Sequence, residues 1–496
     1  MPVKGGDRHN FELDGCIAMN IEAFLSADKS IVIAPAGYGK TYTIAEAIAA
    51  YRGDKKVLVL THTHAGIASL KEKFAQKGIA AAKYHLDTIC SYALNLAKTY
   101  HINKEEFPDE SDMKALFDFA IDHATSILKA KPIRCMLAAK FEHLIVDEYQ
   151  DCTEKQHRMI LEIANTLRTH LLGDPLQGIF GFRAEPVVDF DDESFAPFYE
   201  HCQQLETPWR WNNVGKAAIG QDLARIRQKL EAGEDVDLRE YGSIFCLVGD
   251  EQDYARPQTD IRKQIFRELN RDAVIIHPIS TGVNPRKKVA QQFERYVPLQ
   301  VIEPIDAKDY YEWCDAFDRL SGLPLIRSVA DMMVVASSKT PVDYWINAKG
   351  ELKRKSKEAD VEARSGLEEI TNSLCLEKSY GLIAILIDAI GKLYNVTVYR
   401  KEFVRNMVKV LVDANKLGLS AAEALVRNRN MVRRSGRALT KKSIGTTLLT
   451  KGLEFDNVVV LNAHKFDSPR HLYVALTRCC KRLVVITNNP VLHPYK

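Results

Sequence analysis

Short apolar runs alternate along the chain with longer stretches of helical periodicity, and this alternation predicts strands connected by helices. The runs of the first half are rich in Val, Ile and Leu, as buried parallel strands are. They lie at 30–34, 56–61, 142–146 and 170–173. Further runs lie at 273–277, 457–461 and 482–487. The pattern therefore predicts an α/β fold in which parallel sheets are flanked by helices.

Two stretches have helical periodicity without strand-like runs, and they predict inserted helical subdomains at about 92–140 and at 307–443. A chain of 496 residues is too long for one hydrophobic core, so two to four domains are expected. We predict a first lobe at 1–211, the start of a second lobe at 212–306 and its remainder at 444–496.

The composition is that of an ordinary soluble protein, with 46% hydrophobic and 27% charged residues. The ten cysteines are scattered without a Cys-x-x-Cys pair, which argues against a zinc ribbon or a disulfide framework. The longest apolar run, Gly381–Ile387, is too short to span a membrane. The first residues also lack the apolar core of a signal peptide. We therefore expect a cytoplasmic protein with no membrane partner.

A net charge of +3 means that any nucleic-acid surface must be local. Residues 427–442 contain no acid and seven basic residues: Arg427, Arg429, Arg433, Arg434, Arg437, Lys441 and Lys442. Backbone phosphates are the natural partner of such a segment. The alternative is a solvated helix face, although such a face normally includes acids at helical spacing. The segment predicts nucleic-acid contact, with Arg433 and Arg434 as candidate residues.

The stretch Ile31–Thr41, with the sequence IVIAPAGYGKT, places a strand, a glycine-bearing loop and a helix start in succession. Glycines let the backbone approach an anion, and the helix N-terminus directs amide donors at it. Lys40 would contact the β- and γ-phosphates of ATP, and the Thr41 hydroxyl would bind Mg²⁺. The strict phosphate-loop pattern has glycine where this chain has Ala34, so an ordinary strand-to-helix turn is the alternative. The candidate nucleotide-binding residues are Ala36, Gly37, Gly39, Lys40, Thr41 and Tyr42.

Two adjacent acids, Asp147 and Glu148, follow the predicted strand at 142–146. Their repulsion would be relieved by Mg²⁺, with Asp147 holding the metal and Glu148 accepting a proton from the attacking water. The alternative is a strand that leads into solvated acids. That alternative does not predict a phosphate loop upstream in the same sheet.

Two later segments carry further candidates. After the strand at 170–173, Gln177 is placed to touch the γ-phosphate, and Phe180 and Phe182 offer faces for stacking or belong to the core. In Trp209-Arg210-Trp211 two indoles flank one guanidinium, which suits stacking on a base with a charge directed at phosphate.

In this order the segments resemble the signature series of UvrD/Rep/PcrA-type helicases of superfamily one. The resemblance covers Asn20–Arg210 well, Ala273–Phe293 plausibly and Thr446–Thr487 well. It implies two RecA-like phosphate-loop lobes with ATP bound between them. It also implies that Arg210 and Arg478 stabilise the transferring phosphoryl group, with Arg478 reaching it only when the lobes meet.

The same resemblance implies roles for residues around the base and the nucleic acid. Trp209 stands where the family has an adenine-stacking tyrosine, and Asn20 stands where it has an adenine-reading glutamine. Glu454 would contact the ribose, and Gln177 would couple the γ-phosphate to DNA. The family grips single-stranded DNA at the positions of Thr61, Thr63, Ser91, Phe180 and Phe182.

The leading functional hypothesis is an ATP-driven translocase or helicase that moves 3′ to 5′ on single-stranded DNA. The rival is an ATP-regulated subunit that senses DNA or DNA ends and docks on a nuclease while unwinding little. Short helicases resembling this chain accompany OLD-family nucleases in Gabija-type anti-phage defence, so such a nuclease is a candidate partner. A small-molecule phosphate-loop kinase would leave Arg210, Arg478 and the second α/β lobe without a role.

Overall fold

The structure is a computed structural model that describes residues 19–101, 106–108, 113–180, 186–256, 258–278, 284–294, 297, 299–302, 308–337, 339–435 and 442–495. For residues 284, 294, 308, 430 and 432–435 it describes the backbone only. The chain divides into two compact units. Unit 1 is Met1–Cys246, Ala463–Val484 and Asn489–Lys496, and unit 2 is Leu247–Asn462 and Val485–Asn488. The lobe and insertion boundaries drawn from the sequence stay predictions.

Unit 1 is built on a parallel sheet. Within the described residues its strands are β1 (Lys29–Ile33), β2 (Lys56–Thr61), β3 (Tyr84–Thr88), β4 (Phe141–Val146), β5 (Arg168–Gly173) and β6 (Cys202–Gln204). Their order across the sheet is β3-β2-β4-β5-β1-β6, and every neighbouring pair is parallel. The four strands predicted in this half of the chain are confirmed as β1, β2, β4 and β5.

Helices connect these strands, as parallel neighbours require. In chain order they are α1 (Ile21–Ser26), α2 (Lys40–Ala50), α3 (His64–Gln76), α4 (Ile89–Tyr100), α5 (Met113–Leu128), α6 (Lys131–Lys140), α7 (Glu154–Ala164), α8 (Ala196–Tyr199), α9 (Trp209–Asn212) and α10 (Ala217–Glu231). Buried side chains of α4, α5 and α7 join those of the strands in one core.

The remaining strands of the described chain are β7 (Val236–Asp237), β8 (Phe245–Val248), β9 (Val274–His277), β10 (Gln300–Val301), β11 (Ser443–Thr446), β12 (Phe455–Val460), β13 (Cys479–Thr487) and β14 (Val491–Leu492). A second six-stranded sheet has the order β10-β11-β9-β12-β13-β8. Strands β10, β11, β9 and β12 run parallel within unit 2, and the chain passes from one unit to the other within β13 and within β8. In unit 1, β7 pairs with β14 antiparallel.

The second half of the chain is mainly helical. The helices are α11 (Glu251–Ala255), α12 (Asp260–Asn270), α13 (Asn284–Glu294), α14 (Lys308–Arg319), α15 (Gly322–Ala336), α16 (Lys339–Trp345), α17 (Glu358–Leu376), α18 (Tyr380–Lys392), α19 (Lys401–Leu417), α20 (Ala421–Ser435), α21 (Thr447–Thr450) and α22 (Pro469–Leu476). Helices α14 to α20 pack around a core of their own in unit 2, and α22 belongs to unit 1.

Two six-stranded sheets flanked by helices confirm the predicted fold class, that of two RecA-like lobes with helical additions. None of the helices in the described part of the chain combines the length and the apolar character needed to cross a bilayer.

Candidate nucleotide site

The loop between β1 and α2 has the backbone geometry of a phosphate cradle. Gly37 and Gly39 have φ of 79° and 86°, a region that glycine enters without steric cost, and Gly39 caps the N-terminus of α2. Lys40 and Thr41 form the first turn of that helix. Because the first amide groups of a helix lack partners within the helix, this turn presents donors and positive potential to an anion.

The two glycines also leave room for a second segment that packs against the loop. A Cβ atom on Gly37 would lie 2.9 Å from Arg210 Cβ, and one on Gly39 would lie 3.1 Å from Trp209 Cδ1. The backbone N–H of Arg210 donates to the Gly37 carbonyl at 2.9 Å. The cradle is therefore closed on one side by Trp209 and Arg210, and only glycine fits at both loop positions.

Lys40 lies against the acidic end of β4. Its Nζ is 3.2 Å from Asp147 Oδ1 and 2.7 Å from Glu148 Oε1, and its side chain is 11% exposed. Burial by itself would lower the pKa of Lys40, but the two carboxylates outweigh it and raise the pKa above its ordinary value. The structure thus brings the candidate phosphate-binding lysine and the two candidate acids together.

Glu148 has an unusual backbone conformation for a residue with a side chain. Its φ is 56° and ψ is 42°, in the left-handed region. Such strain costs on the order of 1–3 kcal/mol and is common at functional positions. The turn is held by Asp147, whose Oδ1 accepts from the Glu148 N–H at 2.9 Å and whose own N–H donates to the Leu60 carbonyl at 2.8 Å.

A chain of hydrogen bonds leads from Glu148 to Arg478 through residues at the end of β5. Gln150 Nε2 donates to Glu148 Oε2 at 2.5 Å, and Gln150 Oε1 accepts from the Asp174 N–H at 3.1 Å. Asp174 Oδ2 accepts from Gln177 Nε2 at 2.7 Å, and Gln177 Oε1 accepts from Arg478 Nη2 at 3.2 Å. The candidate base and the two residues expected near the γ-phosphate are therefore linked within unit 1.

Arg478 follows α22 and is 2% exposed. It belongs to the same compact unit as Lys40 and already contacts Gln177. The expectation that Arg478 reaches the transferring phosphoryl group only when the lobes meet stays a prediction. Arg210 reaches the residue next to it, since Arg210 Nη1 donates to the carbonyl of Thr477 at 2.5 Å.

Three buried residues that the sequence did not single out support this arrangement. Asp174 is fully buried, and its Oδ1 lies 2.7 Å from Nη1 of Arg227, a buried residue of α10. The same Arg227 atom donates to the hydroxyl of Tyr473 at 3.3 Å. Burial alone would lower the pKa of Arg227, but Asp174 and its other partners raise it. The sequence signal was weak, because an aspartate after a strand and an arginine in a helix are individually common.

A small cavity lies beside the loop. It is lined by Tyr38, Gly39, Tyr42, Thr43, Leu205, Glu206, Thr207 and Trp209. Lys77 Nζ lies 4.0 Å from the centroid of the Tyr42 ring.

Asn20, the residue that stands at the position of the adenine-reading glutamine, caps α1. Its Oδ1 accepts a hydrogen bond from the Ala23 N–H at 2.9 Å, and its backbone N–H and carbonyl form hydrogen bonds with the side chain of Gln203. Ala36 is buried in the loop.

The candidate DNA-binding residues differ from one another in burial and in the contacts that they make. Thr61 is fully buried, and in the described part of the chain its Oγ1 has no hydrogen-bond partner, so its DNA contact stays a prediction. Thr63 caps α3 by accepting from the Gly66 N–H at 3.1 Å. The Ser91 N–H donates to Thr88 Oγ1 at 3.1 Å. Phe180 stacks on His62 with ring centroids 6.4 Å apart, which adds His62 to the candidates.

The remaining residues predicted to bind nucleotide or DNA are not part of the contacts described above. Glu454 belongs to unit 2 and precedes β12, and Phe182 lies outside the described residues. Arg433 and Arg434 lie in α20, where the structure describes their backbone only. One member of the basic segment is not available as a surface charge, because Arg429 is buried with its guanidinium 4.3 Å from the Tyr310 ring centroid.

Comparisons with known proteins match the part of the chain that contains Lys40, Asp147 and Glu148. Residues 18–183 match a family described as an AAA domain. An ATP-dependent helicase/nuclease subunit of Streptococcus mutans is 23% identical over 479 residues, covering 77% of this chain and 39% of that protein. The protein of the same name from Lactobacillus acidophilus is 39% identical over 85 residues. These residues cover 16% of this chain and 7% of that protein. Exonuclease/helicase subunit RexA of Lactococcus lactis is 29% identical over 119 residues, which cover 24% of this chain and 9% of that protein. The chain spans at most 39% of the length of these relatives.

Proposed function

We propose that the chain is an ATP-hydrolysing DNA helicase of the UvrD-like type, a member of superfamily one, that moves 3′ to 5′ on single-stranded DNA. The observation that carries the proposal is the meeting of Lys40, Asp147 and Glu148 beside the glycine loop. Its support from the comparisons is that an AAA-domain family matches residues 18–183 and that a protein named as an ATP-dependent helicase/nuclease subunit matches 77% of the chain at 23% identity.

The site has the residues that ATP and Mg²⁺ require. The loop fits a phosphate because a Cβ at Gly37 or Gly39 would fill the space beside Trp209 and Arg210. Lys40 would bind the β- and γ-phosphates, and Thr41 and Asp147 would hold Mg²⁺. When bound, Mg²⁺ neutralises phosphate charge. Glu148 would accept a proton from the attacking water at a carboxylate oxygen.

Two arginines and a glutamine would interact with the transferring phosphoryl group. Arg210 and Arg478 would stabilise the transition state, since developing negative charge is best matched by fixed guanidinium groups in a site that excludes water. Gln177, which contacts Arg478 and Asp174, would couple the γ-phosphate to DNA contacts. Tyr42 and Trp209 would flank the base, with Asn20 near it, and Glu454 would bind the ribose.

DNA binding would use side chains of residues that follow β2, β3 and β5 in the chain. Thr63, Ser91, Phe180 and Phe182 are carried into this proposal, and His62 joins them through its stacking on Phe180. Arg433 and Arg434 would supply backbone phosphate contacts. A cytoplasmic setting, with DNA as the partner, follows from the same proposal.

A second candidate function is a DNA-sensing ATPase that works with a nuclease, as in anti-phage defence with an OLD-family nuclease. The observation in its favour is that the relatives are named as subunits of helicase/nuclease assemblies, while this chain spans a minor part of their length. Such a protein would hydrolyse ATP on DNA without separating strands.

Measuring ATP hydrolysis with and without single-stranded DNA tests the catalytic assignment. Lys40→Ala should abolish turnover, whereas Lys71→Ala, a control at an exposed lysine of α3, should leave it unchanged. Arg478→Ala should keep nucleotide affinity and lose on the order of a thousandfold in turnover. Full turnover in Lys40→Ala would remove the phosphate-loop assignment.

Strand displacement separates the two candidate functions. Duplexes with a 3′ tail, a 5′ tail or blunt ends are incubated with the chain and ATP. Release of the 3′-tailed duplex alone supports the helicase with the stated polarity. DNA-stimulated hydrolysis without displacement of any duplex favours the DNA-sensing ATPase.

A further inference from the structure

Three side chains of metal-binding types, two histidines and one glutamate, converge in the helical part of unit 1. His101 follows the last residue of α4, Glu106 lies in the short segment 106–108, and His123 lies in the middle of α5. One ligand atom from each residue can be chosen so that all three lie within 4.8 Å of one another. None of the three belongs to the loop or to the acidic strand end of the nucleotide site.

The distances fit coordination of one small cation. His101 Nε2 is 3.2 Å from Glu106 Oε2. Two ligand atoms bound to a tetrahedral zinc at about 2.0–2.1 Å are separated by about 3.4 Å, so this pair is spaced like one edge of such a site. The rings of His101 and His123 are 4.2 Å apart at their centroids and inclined by 75°. A ring nitrogen of His123 lies within 4.8 Å of the ligand atoms of the other two residues.

His101 is held in a largely buried position. Its side chain is 12% exposed, and its Nε2 lies 3.2 Å from Glu106 Oε2 as one member of an ion pair. The residue itself is held in place, because its backbone N–H donates to the Ala97 carbonyl at 2.8 Å. A metal ion bound by Nε2 and by the Glu106 carboxylate would replace this ion pair with two coordination bonds.

Aromatic side chains surround the two histidines. Phe119 stacks on His123 with centroids 4.3 Å apart, and Phe107 meets His101 edge-on at 5.3 Å. An apolar surround limits access of water and fixes ring orientation at metal sites. The same rings could form an aromatic cluster that contains a histidine–glutamate ion pair, so the test must separate packing from coordination.

We propose that His101, Glu106 and His123 bind one divalent transition-metal ion of the zinc class, with water in the remaining position. Two imidazoles and one carboxylate suit Zn²⁺, whereas Mg²⁺ and Ca²⁺ prefer oxygen ligands alone. The bound ion would tie the end of α4 to α5. The proposal does not depend on ATP hydrolysis, and its test uses metal content, spectra and thermal stability.

The full-length chain is stripped with chelator, loaded with Zn²⁺, dialysed and analysed for metal content. The wild type should retain one zinc more per chain than Glu106→Gln and His123→Gln. Zinc affinity should fall by at least about tenfold to a hundredfold in each variant, the range found when even outer-shell partners are lost. Co²⁺ in place of Zn²⁺ should give visible absorption without a sulfur charge-transfer band, which separates this site from zinc held by cysteines.

Two controls distinguish coordination from packing. His201→Gln removes an exposed histidine of the same unit, and Phe119→Leu removes a ring but no ligand, so both should retain the zinc. Zinc should raise the melting temperature of the wild type and of both controls, and it should not raise that of Glu106→Gln. Because Glu106 is 55% exposed, this variant should fold. Equal zinc content in wild type and Glu106→Gln, or no zinc in the wild type, overturns the proposal.

Discussion

At Gly37 the backbone conformation and the space for a side chain impose separate requirements. Its φ of 79° disfavours any side chain, and a Cβ there would lie 2.9 Å from Arg210 Cβ and 3.1 Å from the Trp211 ring. Gly37→Ala should therefore displace Arg210 from the loop. We expect ATP turnover to fall by on the order of tenfold or more, equivalent to about 1.4 kcal/mol, measured in steady-state assays.

Gly78 offers a matched control for the conformational part of this effect. It also has positive φ, at 65°, but a Cβ would meet nothing within 4 Å. Gly78→Ala should cost about 1 kcal/mol of unfolding free energy through strain alone, with turnover unchanged. If both variants lost the same turnover, crowding against Arg210 would not be the cause.

Among the elements, β5 and α10 are joined by one buried ion pair, between Asp174 and Arg227. Asp174 is completely buried and also accepts from Gln177, so removal of the arginine would leave a carboxylate uncompensated. Arg227→Met should lower the free energy of unfolding by about 3–5 kcal/mol, measured by denaturant titration. Arg225→Met, on the same helix but 58% exposed, should change it by less than about 1 kcal/mol.

Neighbouring strands β4, β5 and β1 are linked by a buried row of polar side chains. Ser30 Oγ lies 2.8 Å from His170 Nδ1, and His170 Nε2 lies 2.9 Å from His143 Nδ1. Burial lowers the pKa of His143 from 6.5 to about 4, and burial also lowers the pKa of His170 well below its ordinary value. Both imidazoles are therefore neutral in the folded sheet at neutral pH.

This row predicts how stability depends on pH. Below pH 6.5 the unfolded chain binds a proton at His143 that the folded chain does not take up until about pH 4. The free energy of unfolding should thus fall as pH drops through this window, by at most about 1.4 kcal/mol per pH unit for each such histidine. His143→Gln should make that slope shallower, and His201→Gln, at an exposed position, should leave it unchanged. An unaltered slope in His143→Gln would assign the acid sensitivity to other groups.

The elements that the sequence predicts are those with continuous apolar runs. Strands β1, β2, β4 and β5 have such runs because both faces of a parallel sheet are covered. Strand β3 was missed because it lies at the sheet edge, and its sequence Tyr84-His85-Leu86-Asp87-Thr88 is only half-buried. Strand β6 has three residues, too few to form a pattern.

The candidate site, like the strands, could be predicted only where the local sequence has a clear pattern. Glycines, a lysine and paired acids at strand ends could be placed together from the sequence, because parallel strands present their carboxyl ends at one edge. The link from Gln150 through Asp174 to Gln177 depends on side chains meeting across strands, and the buried state of Thr61 depends on how α3 packs on β2. Neither has a signature in local residue order.

Across the whole molecule, a net charge of +3 leaves nucleic-acid binding to local concentrations of basic residues. The segment at 427–442 is the densest of these, but the structure removes Arg429 from the available charge because it is buried on Tyr310. Arg433 and Arg434 remain the candidates, at the end of α20.

Neutralising both residues, as Arg433→Gln with Arg434→Gln, should weaken binding to single-stranded DNA and reduce its dependence on salt. Each phosphate contact contributes about −0.7 to the slope of log affinity against log salt for single strands, so two lost contacts should reduce the slope by about 1.4. The measurement is fluorescence anisotropy of a labelled oligonucleotide over a series of salt concentrations. The matched control, Lys353→Gln with Arg354→Gln, removes two exposed charges from the segment between α16 and α17. If the control changes the slope as much as the Arg433 and Arg434 pair does, DNA contact is not concentrated at α20, because any two positive charges would then have the same effect.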